Sequence, residues 1–197
     1  MAGEELRDSA DVAARALHDD PLFAHLAPDV RLRRRGMPLY FRANLGATAR
    51  LGATTVARRQ GRVVGVASWV PPGRWPLSPG NQVRQAFGAL RALVLRPRSI
   101  PDGLRMLRAI ERVHPHEPHW YLSLLAVDPA QQGHGIGAAL IDGGIARADD
   151  DGLPAYLETS NPKNLAWYRR FGFELEQELR VGAAKPAIWT MRRPVRD

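Results

Sequence analysis

The stretch Leu122-Ser123-Leu124-Leu125-Ala126-Val127-Asp128-Pro129, continued by Gln131-Gln132-Gly133-His134-Gly135-Ile136-Gly137-Ala138-Ala139-Leu140-Ile141, decides the fold. An apolar run comes first, then an Asp-Pro turn, then glycines, then a helical pattern. Glycines carry no Cβ, so backbone there can approach a ligand closely. The first N–H groups of a helix lack intrahelical partners, and the helix dipole makes that end positive. A strand that feeds such a loop is a device for holding phosphate.

Two phosphate-binding patterns fit the glycine spacing. Gly133, Gly135 and Ala138 satisfy the dinucleotide fingerprint G-x-G-x-x-[GA], and Glu158 ends the next expected strand, near where a ribose-binding acid would lie. Gln132, Gly135 and Gly137 satisfy a different pattern, Q-x-x-G-x-G. The rest of the chain separates them. A dinucleotide fold usually starts at its fingerprint and then needs several more strand–helix units. Here the loop sits at residue 132 of 197. The chain beyond it predicts a helix over 136–149, a strand over 153–158, a helix over 163–170 and strands near 173–181 and 186–192. That is too little chain for a second half.

The second discriminating stretch is Leu157-Glu158-Thr159-Ser160-Asn161-Pro162-Lys163-Asn164-Leu165-Ala166-Trp167-Tyr168-Arg169-Arg170-Phe171-Gly172-Phe173. With the Q-x-x-G-x-G loop upstream, it resembles the GNAT superfamily of N-acetyltransferases. There an Asn precedes a helix that carries a Tyr, and Gly-Phe comes next. Leu-Glu-Thr-Ser, with Asn164 four residues before Tyr168, resembles more narrowly the puromycin N-acetyltransferase-like branch. The closing Ile188-Trp189-Thr190-Met191 agrees with that. The specific resemblance covers about 120–192; upstream only the order of elements matches.

The resemblance implies an α/β (α+β) fold with a mixed, mostly antiparallel central sheet, splayed at the acetyl-CoA site and flanked by helices. It implies a single N-acetyltransferase domain over 1–197, with the acetyl-CoA loop at about 124–139 and the second signature at about 157–173. The cosubstrate would be acetyl-CoA and the acceptor a primary amine of a small molecule, attacked directly. A dinucleotide-binding oxidoreductase and a catalytically idle acyl-CoA-binding protein stand as alternatives.

Acetyl transfer to an amine needs four things. The cosubstrate must be gripped, its carbonyl polarised, the amine deprotonated and the thiolate protonated. Grip falls to Gln132, Gly133, His134, Gly135, Ile136, Gly137 and Ala138, whose backbone N–H groups face the pyrophosphate; the His134 ring is expected to point to solvent. Leu125, Ala126 and Val127 run beside the pantetheine arm as a strand would, and an N–H at or near Leu125 meets the oxyanion. Tyr168 is the expected acid, since a phenol with a pKa of about 10 keeps its proton at neutral pH. Asn161 and Asn164 both suit the cofactor arm, and Asn161 suits a helix cap equally. For the base, Glu158 ranks first, ahead of His119, Tyr121, Glu111 and His116. His114, His116 and His119 sit among prolines without helical spacing, so they read as a loop and not as a metal site.

Composition sets the outer bounds. Apolar residues make up 45% of 197, enough for one sizeable core. With no Cys, disulfides and thiolate chemistry are excluded. No run reaches membrane-span length, and the acidic Glu4-Glu5 start does not read as a signal peptide, so a cytoplasmic protein is expected. The net charge is +8, yet Lys163 and Lys185 are the only lysines. That skew fits a GC-rich, bacterial coding genome. Aromatics do not interleave with the arginines, so no nucleic-acid platform is expected. A monomer and a homodimer are both compatible with the sequence.

Upstream, helical spacing predicts a helix over 7–18 with Ser9 as its cap, stopped by Asp19-Asp20-Pro21. A second helix is expected from Arg31 to about Ala49. A hairpin comes after it, Thr54–Arg59 and Val63–Trp69 around Gln60-Gly61. Helices over 81–95 and 102–113 complete the series.

Overall fold

The computed structural model describes residues 1, 3–75, 100–180 and 186–195. Helix α1 (Gly3–Ala16) leads to α2 (Pro21–Leu26) and α3 (Val30–Thr48). Strands β1 (Thr54–Arg59) and β2 (Arg62–Val70) form a hairpin. Then come α4 (Ile100–Val113), β3 (Trp120–Val127), α5 (Ile136–Asp150), β4 (Ala155–Thr159), α6 (Lys163–Arg169), β5 (Glu174–Leu179) and β6 (Ile188–Arg193). The helix expected over 81–95 lies outside the described residues.

Local chemistry accounts for most boundaries. Asp20 caps α2 through Leu22 N–H at 3.0 Å, with Pro21 in the first turn, where its missing N–H costs nothing. Asp29 caps α3 in the same way, through Arg31 and Leu32. Gln60 and Gly61 both take positive φ, 51° and 77°, the pair of left-handed residues that a tight hairpin turn requires. Ser9, expected as a cap, is instead buried in the middle of α1, which begins four residues before the expected start. The Glu4 and Glu5 side chains occupy the positive end of that helix, so the acidic start opens a helix rather than preceding one.

The sheet order is β1-β2-β3-β4-β6-β5. Only β3 and β4 are parallel; every other neighbouring pair is antiparallel. A doubly wound dinucleotide fold needs a mostly parallel sheet, so that alternative fails on topology. Strand β2 is buried along eight of its nine residues, because helices cover both faces. On one face Ala10, Ala13, Phe41 and Leu45 pack on Val66 and Leu124. On the other, Leu140, Ile141 and Ile145 of α5 pack on Trp69, Leu122 and Leu157. Among the described residues no helix is long and apolar enough to cross a membrane.

The close fit of α5 on the sheet depends on one glycine. A Cβ at Gly144 would stand 2.0 Å from Trp69 Cε2 and 2.1 Å from its Nε1. Trp69 is itself 1% exposed, with no room to retreat. Gly144→Ala is therefore expected to destabilise the protein by about 1–3 kcal/mol through overpacking. Thermal denaturation should show a midpoint lower by several degrees, about 2–4 °C per kcal/mol in a chain of this size. An unchanged midpoint would mean that α5 is free to lift from β2.

Candidate active site

The parallel pairing of β3 with β4 is short. Trp120, Tyr121 and Leu122 pair with Ala155, Tyr156 and Leu157, and there the ladder stops. Both strands continue, to Val127 and Thr159, paired with their outer neighbours but not with each other. A register slip lies at the same level: Ser68 opposes Leu124 and Trp69 opposes Leu122, so Ser123 has no partner on β2. Such a bulge bends its strand. The Ser123 hydroxyl donates to the Ser68 carbonyl at 2.9 Å and fixes the bend. The sheet therefore splays as expected, and backbone of β3 is left facing a gap.

A cavity of about 220 Å³ opens at that gap. Its walls bring together Ser123, Leu124 and Leu125 of β3, Glu158 and Thr159 of β4, and Asn164 and Tyr168 of α6. The far wall is built more than 70 residues upstream in the chain, from Asp20, Phe23, Phe41 and Asn44. Phe23 meets Tyr40 and Phe41 edge-on, with ring centroids 5.6 and 5.3 Å apart.

Tyr168 is 8% exposed. Burial first, and the charge of Asp20 second, push its phenol well above the usual value, so it holds its proton throughout the working pH range. The Gly-Phe just after it sets its position. Gly172 takes φ 84° just past the end of α6, and Phe173, 1% exposed, packs edge-on to Tyr168 at 5.9 Å. Buried Arg193 clamps that turn by donating to the Phe171 carbonyl at 3.1 Å while forking onto Asp149 at 2.5 and 2.9 Å.

Glu158 is more enclosed than a rim residue. Its side chain is 8% exposed, and its Oε1 lies 3.3 Å from His114 Nδ1. The phenol of Tyr121 is pushed well up, by burial and then by the charge of Glu158. Asn164 lines the cavity and donates to Thr159 Oγ1 at 3.1 Å. Asn161 turns instead to the chain, where its side-chain Oδ1 accepts from Lys163 N–H at 3.1 Å. Glu111 and His116 are exposed.

The glycine loop stands at the end of β3. Gly133 and Gly135 take φ 80° and 76°, and a Cβ on either would meet nothing within 4 Å. The first ladder bond of α5 runs from Ala139 N–H to the Gly135 carbonyl. The N–H groups of Ile136, Gly137 and Ala138 are thus outside the helix's own ladder, and Gly135 supplies no side-chain cap. Bare donors on an open, side-chain-free surface fit a phosphate group. Gln132 is spent on the loop itself, its amide donating to the Val127 carbonyl at 3.2 Å. The exposed His134 ring turns to the Gln132 carbonyl at 3.0 Å. A Cβ at Gly137 would stand 3.4 Å from Trp167 Cζ2, an ordinary contact, so α6 packs on α5 at this point.

A statistical model of the acetyltransferase (GNAT) family matches residues 17–173. The chain belongs to that family. A curated relative, an uncharacterised N-acetyltransferase of Schizosaccharomyces pombe, is 29% identical over 133 residues, 61% of this chain. The match spans about half, 53%, of that relative. Among solved structures, one described as histone acetyltransferase HPA2 and related acetyltransferase from Corynebacterium glutamicum superposes with a TM-score of 0.68 at 22% identity, over 100% of this chain and 94% of that one. The NatC complex bound to Gag peptide and CoA superposes with a TM-score of 0.53 at 13% identity, over 99% and 93%. These two likenesses concern the fold.

Asp20, Ser160 and His114 are the site residues that sequence reasoning missed. Asp20 lines the cavity, accepts the Ser160 hydroxyl at 2.5 Å, and has its carboxyl raised by burial despite that bond. Its sequence signal, Asp-Pro, reads equally as a helix stop, and it serves as a cap at the same time.

Proposed function

We propose that this protein transfers an acetyl group from acetyl-CoA to a primary amine of a small molecule by direct attack on the thioester. One observation carries the reading: the gap between β3 and β4 opens onto a cavity holding Tyr168 and Glu158, and the strand that lines it, β3, leads through the glycine loop to the bare N-terminus of α5. Acetyl-CoA, when bound, supplies an activated acyl group. The N–H groups of Ile136, Gly137 and Ala138 hold its pyrophosphate, and β3 from Leu125 to Val127 aligns the arm and offers an N–H to the oxyanion. Glu158 takes the proton from the acceptor ammonium, which frees the nitrogen lone pair. The C–N bond forms and the C–S bond breaks, and the nitrogen sheds a second proton, which replaces the one that Tyr168 gives up. Tyr168 donates to the departing sulfur. Asn164 positions the arm, while Asn161 shapes the helix entry.

The acceptor class rests on two supports. Asp20 and Glu158 bring two acidic side chains to a cavity whose walls also hold the rings of Phe23, Phe41 and Tyr121, which suits a cation carried on an apolar frame. The Leu157–Ser160 and Asn164–Tyr168 segments resemble the puromycin N-acetyltransferase-like branch. Release of CoA against a panel of small amines and peptides tests the reading. Turnover with at least one small amine is expected, and a panel in which only peptides react would reject the acceptor class.

Glu158→Gln keeps the shape and removes the base. Turnover should fall most at low pH, where the amine is largely protonated, and least at high pH, where it arrives neutral. A rate–pH curve parallel to that of the unaltered protein would remove Glu158 from the reaction.

A further inference from the structure

Glu158 is the inner end of a chain of buried polar atoms. From its contact with His114 Nδ1 at 3.3 Å, the chain runs through His114 Nε2, 3.1 Å from His119 Nε2, to His119 Nδ1, 2.8 Å from the Glu117 carbonyl oxygen. His114 and His119 are 3% and 6% exposed. They stand on separate segments, just after α4 and just before β3, so their meeting is a product of the fold.

Hydrogen-bond polarity fixes the protons. A carbonyl oxygen only accepts, so His119 Nδ1 carries a hydrogen. Burial, as the largest cause, holds the His119 pKa below the ordinary value, and the ring is neutral at neutral pH. Its Nε2 is then a lone pair. His114 Nε2 must be an N–H that donates to it. In a neutral His114 the remaining nitrogen, Nδ1, is a lone pair facing a carboxylate oxygen. That contact becomes a hydrogen bond only when one more proton lies in it. Shifting the His114 tautomer does not help. It moves the clash of lone pairs to the His114–His119 contact, and a further shift moves it to the Glu117 carbonyl. The chain is fully bonded with a proton between Glu158 and His114, and one bond short without it. An unpaired polar contact in a buried site is costly.

We propose that His114, oriented by His119 and the Glu117 carbonyl, makes the Glu158–His114 pair the proton acceptor in the reaction, so that the proton leaving the acceptor amine completes the hydrogen-bonded chain. The inference rests on Glu158 being the base. An N–H bond of the ammonium breaks, and an O–H bond at Glu158 or an N–H bond at His114 Nδ1 forms. The proton returns to solvent after the product leaves. His114 is a positioning residue that acts through Glu158.

The other ionisable groups that face this chain do not supply the proton. Tyr121 on β3 and Tyr156 on β4 flank His114, with ring centroids 4.8 and 5.0 Å away. Burial raises both phenols well above the usual value, so both stay neutral. Near His119, Arg192 of β6 pairs with the Glu117 carboxylate at 2.5 Å and lies 3.7 Å from Glu176 of β5.

Histidine side-chain ¹⁵N NMR on the unliganded full chain tests the chain without any acceptor. His119 is expected as the Nδ1–H tautomer, and His114 with hydrogen on Nε2. As the pH is lowered, a proton should enter the Glu158–His114 contact of the unaltered chain and shift the His114 nitrogens; the amide of Glu158→Gln can donate to His114 Nδ1 in its place, so in that variant His114 should keep its Nε2–H form over the same range while His119 is unchanged. An Nε2–H tautomer at His119, or a His114 response to lowered pH that is the same with and without Glu158→Gln, would overturn the proposal. Kinetically, His114→Gln should lower kcat by roughly 10-fold or more, with little change in acetyl-CoA affinity, and give a rate–pH curve no longer parallel to that of the unaltered protein. Parallel curves at reduced rate would make His114 merely structural and overturn its role. Correct tautomers with no acetylation of any amine would reject the reaction itself, and the role of the chain with it. Wrong tautomers in an active enzyme would reject the chain alone.

Discussion

Replacing Tyr168 by Phe is expected to lower turnover by roughly 10- to 10⁴-fold, the span for losing a general acid. The change removes one oxygen and leaves the ring. Phe173 keeps its edge contact, and the aromatic neighbour Trp167, 5.1 Å away, keeps its partner. Acetyl-CoA affinity should therefore change little. The direction of the Tyr168 pKa shift sharpens the expectation. Burial and the Asp20 charge both oppose a tyrosinate, so in the proposed reaction the phenol would act as a hydrogen-bond donor to developing negative charge on sulfur rather than as an acid poised near neutrality. The measured loss should then be nearly flat with pH across the neutral range. A loss of less than twofold, with chemistry limiting the rate, would assign the hydroxyl to structure. A loss that vanishes above neutral pH would show that the phenol titrates in the working range, contrary to its surroundings.

Tyr168 was legible because everything that holds it is local. Gly172 and Phe173 come within five residues of it, and each has a physical reason to be there: a left-handed turn and a buried ring. The glycine loop was legible on the same ground, since a strand, a turn and a helix start are adjacent in the chain. Register and convergence were not. Leu122 to Val127 reads as an unbroken strand, and nothing in it announces the bulge at Ser123, which exists only against β2. Asp20 reaches the cavity because α1 to α3 fold over the sheet, which no local pattern states. The three histidines illustrate the limit most directly. Between prolines they read as a loop, and His116 is indeed exposed. Yet His114 and His119 meet beneath it, because α4 ends and β3 begins at one place on the sheet. Sequence reasoning ranks Glu158 first as base, yet the burial of its side chain comes from those distant segments, which no local pattern states.

Gly135→Asp is expected to abolish useful acetyl-CoA binding, at a cost of roughly 2–4 kcal/mol, or about 30- to 10³-fold in affinity. Two effects must be separated. Gly135 takes φ 76°, which strains most residues that carry a Cβ. Asp and Asn both tolerate that region better than other residues and have nearly the same shape. The space around a Cβ there is open, so neither side chain meets a neighbour at that atom. Gly135→Asn thus measures strain and bulk, and the difference between the two variants measures charge. If the bare N–H groups of Ile136, Gly137 and Ala138 hold a pyrophosphate, a carboxylate at the cap of α5 competes for the same donors and repels the ligand. It should also stabilise the unliganded helix, because it satisfies the positive end. Gly135→Asp would then bind acetyl-CoA far more weakly than Gly135→Asn while melting no lower than it does. Calorimetric titration and thermal denaturation of both variants read the two quantities. Equal affinities would take the pyrophosphate away from this loop. Equal affinities with a rise in melting temperature for Gly135→Asp alone would show that the helix end is an anion site whose occupant is not this cosubstrate.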